Sequence, residues 1–242
     1  MRIEIVTIFP EVFRSPFSEG VVKIAQEKGL LDVEVVDLRE FATDKHRTVD
    51  DKPYGGGAGM VMKVEPIYRA VNELKNERAR TYLLSPQGTL FNQSSAKSLV
   101  EEEHLILICG KYKGVDERVT RFIDDEISIG DYVLSGGELG AMVIVDALAR
   151  LIPGVIGDFE SALFDSFYGQ LLAAPCYTRP SDFGGWEVPE TLLSGDHDEI
   201  RKWRKKEALK RTLLRRPDLL EEADLDRESE DILRELKWER EN

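Results

Sequence analysis

The sequence predicts an α/β protein, a parallel sheet with helices on both faces, followed by a small helical domain. Strand-like runs alternate with segments of helical periodicity up to about residue 150. Three consecutive strands run into glycine- or proline-bearing turns: Ser85-Pro86-Gln87-Gly88, Gly110-Lys111-Tyr112-Lys113-Gly114, and the stretch Ile129–Gly137. Beyond Arg150 the chain turns irregular and then densely charged.

Taken in order, Met1–Phe9 alternates Ile3, Ile5 and Ile8 with Arg2, Glu4 and Thr7, the signature of a strand. A helix is expected over Glu11–Lys28, broken or delayed by Pro16 and closed at Gly29. Val33–Leu38 is a second strand. Arg39–Gly59 is a long polar loop ending in Gly55-Gly56-Gly57-Ala58-Gly59, and loops of this length in compact domains are usually functional or disordered. Glu65–Asn76 follows as a helix with Pro66 in its first turn, then a strand over Thr81–Ser85, a helix over Asn92–Glu102 and the apolar strand His104–Cys109. A helix is expected over Asp116–Phe122 and a strand over Glu126–Ile129, with Ile127 and Ile129 on one buried face. Gly136-Gly137 lead into a helix over Glu138–Arg150, where Leu139, Met142, Val143, Asp146 and Ala147 fall at helical spacing. Ligands of parallel sheets sit outside the strand carboxyl ends, so the three turns should share one site.

The C-terminal part begins with an aperiodic stretch, Asp158–Ala174, and an irregular connection punctuated by Pro175, Pro180, Gly184-Gly185 and Pro189. Asp196 can cap a helix running to about Leu214, and a last helix spans about Arg227–Arg240 with Ile232, Leu233 and Leu236 on its apolar side. The expected domains are 1–160, a mobile connection 161–175, and 176–242.

At 242 residues and a net charge of −13, the chain is long enough for a sizeable core and argues at first against a nucleic-acid partner. The charge is unevenly placed, however. Arg201–Arg216 holds nine Lys or Arg against Glu207 alone, a local +8 that can bind phosphates. Neither a membrane span nor a signal peptide is evident, and Cys109 and Cys176 make neither a disulfide framework nor a zinc site. A cytoplasmic protein with reduced thiols is expected. The glycine run lacks the ending of a phosphate-binding Walker loop, and GKYKG lacks the dinucleotide glycine spacing.

Together the segments IVTIFPEVF, HRTVDDKPYGGGAGMVMK, LLSPQG, CGKYKGVDERV, SIGDYVLSGGEL, IPGVIG, DSF, YTRP, VPETLLSGDH and RTLLRRPDLL resemble, over nearly the whole chain, the bacterial tRNA (guanine-37-N1)-methyltransferases of the knotted SPOUT superfamily. The resemblance implies a deep trefoil knot around an S-adenosylmethionine site, and a homodimer with active sites where the subunits meet. It implies cofactor contacts from Leu84, Ser85, Pro86, Gly110, Tyr112, Ile129, Gly130, Asp131, Tyr132, Val133, Leu134, Gly136 and Gly137. Asp165, in the DSF motif, becomes the base that removes the N1 proton of guanine, and Arg150 the cation that stabilises O6. Substrate tRNA carries guanosine at position 37 and is gripped by the C-terminal domain. Candidate RNA contacts are His46, Arg47, Asp50, Ser166, Arg179, Arg201 and Arg215. The chain departs from the family at Lys113, where CGRYEG has an acidic residue. That departure bears on a possible magnesium ion, for which Asp116 or Glu117 could substitute.

Overall fold

The structure, a computed structural model, describes residues 1–157 and 164–241. The chain forms two compact units, Met1–Gly157 and the part from residue 158 onward.

The N-terminal unit is built on a five-stranded sheet, ordered β2-β1-β6-β5-β7, with every neighbouring pair parallel. Its strands are β1 (Arg2–Thr7), β2 (Asp32–Asp37), β5 (Ala79–Leu90), β6 (His104–Cys109) and β7 (Asp125–Ser128). β6 lies in the middle, and all six of its residues are buried, as the HLILIC run requires. One face is covered by α2 (Val64–Leu74) through Ile67, Ala70 and Val71, packed with Val6, Ile106 and Ile108. Alternation leaves Ile3, Ile5, Leu105 and Leu107 on the other face. There α4 (Glu138–Leu151) crosses β1 and β6, with α1 (Gly20–Glu27) and α3 (Gln93–Leu99) beside it. Each such buried aliphatic side chain stabilises the unit by roughly 1.5–3 kcal/mol.

Several expectations change on contact with the fold. The first predicted helix is split: Pro10–Phe13 is a short 3-10 turn, and α1 begins only at Gly20, beyond Pro16. Gly29 then takes a left-handed φ of 67° and closes α1 through hydrogen bonds from Gly29 N to Gln26 O and from Leu30 N to Ala25 O. The helix expected over Asp116–Phe122 is only a 3-10 turn, Glu117–Arg121. In β1, polarity alternates but burial does not, because Glu4 and Thr7 are buried too. In α4, Ala141, Ile144, Val145 and Leu148 face the sheet, whereas Leu139 and Val143 are 51% and 47% exposed. Of the pair expected on one face, Ile127 is buried on β7 with Ser128, whereas Ile129 lies just past its end and is only half-buried. The long loop is pinned at Val49, which is fully buried, and by a two-residue antiparallel ladder of β3 (Asp50–Asp51) with β4 (Val61–Met62).

The C-terminal unit centres on the helix His197–Arg215, whose first turn is capped by the Asp196 carboxylate accepting from the N–H groups of Asp198 and Glu199. Leu209 and Leu213 pack on Leu233 and Leu236 of the last helix, Arg227–Glu241. The stretch ending at residue 175 is held to this core: Leu171 packs against it, and Leu172 N donates to Thr212 Oγ1 at 3.0 Å. A small hairpin joins Asp182–Phe183 to Trp186–Glu187, where Gly184 and Gly185 both have positive φ, as a tight two-residue turn demands.

One fold feature is directly testable. β5 pairs with β7 up to Leu84↔Ile127, loops out, and rejoins at Thr89↔Ile127. A Cβ on Gly88 would lie 2.3 Å from the Glu126 carbonyl carbon. Gly88→Ala should therefore lose about 1–3 kcal/mol of stability in denaturant unfolding. Replacement of the exposed Gln87 by Ala should change stability by no more than about 0.5 kcal/mol.

Candidate functional site

The loop-out within β5 between Leu84 and Thr89 and the turns after β6 and β7 enclose a cavity of about 590 Å3. Every residue singled out on them lines it: Leu84, Ser85 and Pro86; Gly110 and Tyr112; Ile129 to Leu134 with Gly136 and Gly137. A volume of this size suits a small organic ligand. Gln87, Lys111 and Lys113 of the same turns also face it, as do Glu117, Thr120 and Gly140, of which Thr120 and Gly140 were not expected from the sequence.

Close backbone approach shapes the site. A Cβ on Gly137 would stand 2.8 Å from Cys109 Cα and 3.1 Å from Leu84 Cβ, so only glycine lets the start of α4 pass between the ends of β5 and β6. Gly137 N donates to Gly110 O at 2.8 Å and fixes that passage. Tyr112 holds a left-handed φ of 61° at the tip of its turn, which is bonded to the segment just after the long loop: Lys113 N to Met60 O at 3.1 Å, and Met62 N to Gly114 O at 3.0 Å. The Tyr132 ring folds over Gly130, where a Cβ would come within 2.4 Å of it, and its hydroxyl donates to Ile129 O at 3.0 Å.

Beneath the cavity lies a buried polar cluster that periodicity could not reveal. Glu138, in the first turn of α4, is 6% exposed and accepts a hydrogen bond from Thr7 Oγ1 at 3.0 Å. Lys111 Nζ lies 3.9 Å from Glu138 Oε2 and 4.8 Å from the centre of the Phe9 ring. The free amides of the helix N-terminus favour a carboxylate there. Neighbouring Cys109 is fully buried, and burial, reinforced by Glu138 and opposed by Lys111, pushes its thiol well above the ordinary range. The polar residues Thr7 and Glu138, each amid an apolar element, were the available signal.

The remaining candidates are not among the residues that line this cavity. Arg150 belongs to the N-terminal unit, in the last turn of α4, and Asp165 to the C-terminal unit. Ser166 accepts from Ala173 N at 2.9 Å, and Phe167 adopts a left-handed φ of 73°. His46 and Arg47 are exposed around Asp44, whose carboxylate accepts from His46 N and Thr48 N; Asp50 is in the β3–β4 ladder. Arg179 and Arg215 are exposed, and Arg201 lies 3.5 Å from Glu228. Among the described residues, no three His, Cys, Asp or Glu side chains are grouped as a metal site. Of the two carboxylates near Lys113, Asp116 is engaged by Arg118 at 2.7 Å, and hydrogen bonding to that guanidinium lowers its pKa; Glu117 lines the cavity. The Lys113 stem lies across the glycine run, 3.1 Å from a Cβ built on Gly59. No described helix is long and apolar enough to cross a membrane.

A parallel sheet with a ligand-sized cavity toward its strand carboxyl ends defines a class of small-ligand-binding α/β proteins. Within that class, residues 1–222 match the model of the tRNA (Guanine-1)-methyltransferase TrmD family, and this chain belongs to that family. It is 59% identical over 239 residues to a tRNA (guanine-N(1)-)-methyltransferase of Dictyoglomus turgidum, covering 99% of this chain and 98% of that one. A protein of the same name from Geobacillus kaustophilus is 54% identical over 244 residues, with both chains fully covered. One from Carboxydothermus hydrogenoformans is 55% identical over 234 residues, covering 96% of this chain and 92% of its own.

Two measurements check the buried cluster. Lys111→Ala should destabilise by about 1–3 kcal/mol, because the Glu138 carboxylate loses its nearby cation, and Lys111→Ala/Glu138→Gln should recover part of that loss. In a thiol titration of the native protein, the exposed Cys176 should react rapidly and Cys109 should not.

Proposed function

We propose that this chain transfers the methyl group of S-adenosylmethionine to N1 of the guanosine at position 37 of tRNA, 3′ to the anticodon. The reading is carried by the convergence of three strand-end turns on one cavity in a chain of this family. The lining fits the cofactor: backbone amides and carbonyls of glycine-bearing turns suit the polar edges of an adenosyl group, and Leu84, Pro86, Ile129 and Leu134 suit its rings.

S-adenosylmethionine supplies a methyl group already activated on a sulfonium, which leaves placement and electrostatics to the protein. N1 of neutral guanine carries a proton, and losing it drives negative charge onto O6. The Asp165 carboxylate takes that proton, and the Arg150 guanidinium holds the charge on O6. Asp165 sits two residues before Phe167, whose left-handed backbone costs on the order of 1–3 kcal/mol, and strain of this kind gathers where a segment must be aimed.

Three finer features belong to the same proposal. The close passages at Gly88 and Gly137 are what a trefoil knot around the cofactor would require. The outward Leu139 and Val143 of α4, with Tyr132 and the fully exposed Val133, offer an apolar surface for a second copy in a homodimer. Residues 1–160 bind the cofactor, and 176–242, beyond the 161–175 connection, grip the tRNA, in the cytoplasm where that substrate is processed.

Labelled S-adenosylmethionine, incubated with unmodified transcripts carrying guanosine or adenosine at 37, should label N1 of the first only. Asp165→Ala should abolish turnover while cofactor affinity stays within about twofold. No label on either transcript, with cofactor binding intact, would make this a tRNA-binding protein without catalysis. If the missing carboxylate at 113 is what ties such enzymes to magnesium, Lys113→Glu should steepen the response of transfer to Mg2+. An unchanged profile discards that idea.

A further inference from the structure

The basic segment Arg201–Arg216 divides its charges by face. On the side of the last helix, Arg201 lies 3.5 Å from Glu228, Lys205 lies 2.7 Å from Asp226 and 2.5 Å from Glu228, and Lys206 lies 3.9 Å from Glu239. Lys202 pairs with Glu199 at 3.1 Å and Arg216 with Asp218 at 2.6 Å. Hydrogen bonds from Lys205 hold the Asp226 and Glu228 carboxyls below their ordinary range, so these acids stay ionised and neutralise that face.

Arg204, Lys210, Arg211 and Arg215 have no acidic partner among the described residues, and Glu207, the lone acid of the segment, pairs with none of them; Lys210 stands about 100° or more round the helix from the three arginines. Arg211 reaches only a neutral group, the Ala173 carbonyl, at 3.4 Å. At 3.6 residues per turn the three fall within about 40° of one another around the helix, and about 1.5 Å of rise per residue spaces them roughly 10 and 6 Å apart along it. Leu209 and Leu213 occupy the opposite, core-facing side. Three aligned guanidiniums left uncompensated in a chain of net charge −13 repel one another until a polyanion arrives.

We infer that Arg204, Arg211 and Arg215 form a stripe that contacts successive phosphates of the RNA backbone, and that the paired basic residues of the same helix hold the C-terminal unit together. The planar guanidinium fork suits phosphate oxygens, and phosphate contacts position an RNA without reading its sequence. This rests on the tRNA reading above and extends it to three arginines; Arg201, another candidate RNA contact, lies 3.5 Å from Glu228.

The test is binding of the full-length protein to an unmodified tRNA transcript with guanosine at 37, measured across a salt series. Arg204→Ala or Arg215→Ala should each weaken binding several-fold and flatten the slope of log affinity against log salt by about 0.7–0.9. The triple alanine variant should flatten it by about 2 or more, whereas the triple lysine variant should keep the wild-type slope. Lys202→Ala and Lys206→Ala should leave the slope unchanged. A folded triple alanine variant with the wild-type slope overturns the stripe, as does an equal effect of Lys202→Ala. If the triple variant does not fold, the single variants decide by the same slopes. A wild type that methylates this tRNA, with a slope indifferent to the three arginines, overturns the stripe alone. A wild type that neither binds nor methylates it overturns the tRNA reading as well.

Discussion

The N-terminal unit depends on two places where the chain passes itself with no room for a side chain. Gly88 lies against the β7 backbone, and Gly137 slips between Cys109 and Leu84. These contacts bring the ends of β5, β6 and β7 close enough for their turns to share a cavity. They also leave backbone donors and acceptors lining it. A methyl group added at either position would push the turns apart, so the constraint on packing and the constraint on the site are one.

Below this passage, Thr7, Glu138 and Lys111 add a hydrogen bond and an ion pair that join β1, the turn after β6 and the start of α4. Burial makes such a cluster costly when incomplete, and it is therefore rigid when complete. At the other end of the sheet, Glu4 is joined by His104 at 2.9 Å and by Arg2. The strand β1 thus carries a buried acid near its start and a buried hydroxyl at its end, with apolar residues between.

Much of this was legible in the sequence. Alternation and apolar runs place the strands, Asp196 marks the start of the long helix, and the three punctuated turns point to one site at the strand carboxyl ends. What was not legible follows from tertiary context. Period-two patterning sees that Glu4 and Thr7 are polar but not that both are buried, and only the third dimension supplies their partners. Leu139 and Val143 read as part of a helical pattern, yet α4 turns its small and branched residues to the sheet and leaves these two outside. The glycine of SPQG reads as a turn, whereas Gly88 is a backbone contact that returns the chain to β7. The basic helix reads as one patch, and only the placement of Asp226, Glu228 and Glu239 separates its neutralised face from its arginine stripe.

The central claim is that three turns distant in sequence hold one S-adenosylmethionine molecule. Amide hydrogen exchange with and without the product S-adenosylhomocysteine tests it most directly. Protection should concentrate in 84–88, 110–114 and 129–137 together, with little change in the helix His197–Arg215. Protection confined to one turn, or centred outside the cavity, would contradict it.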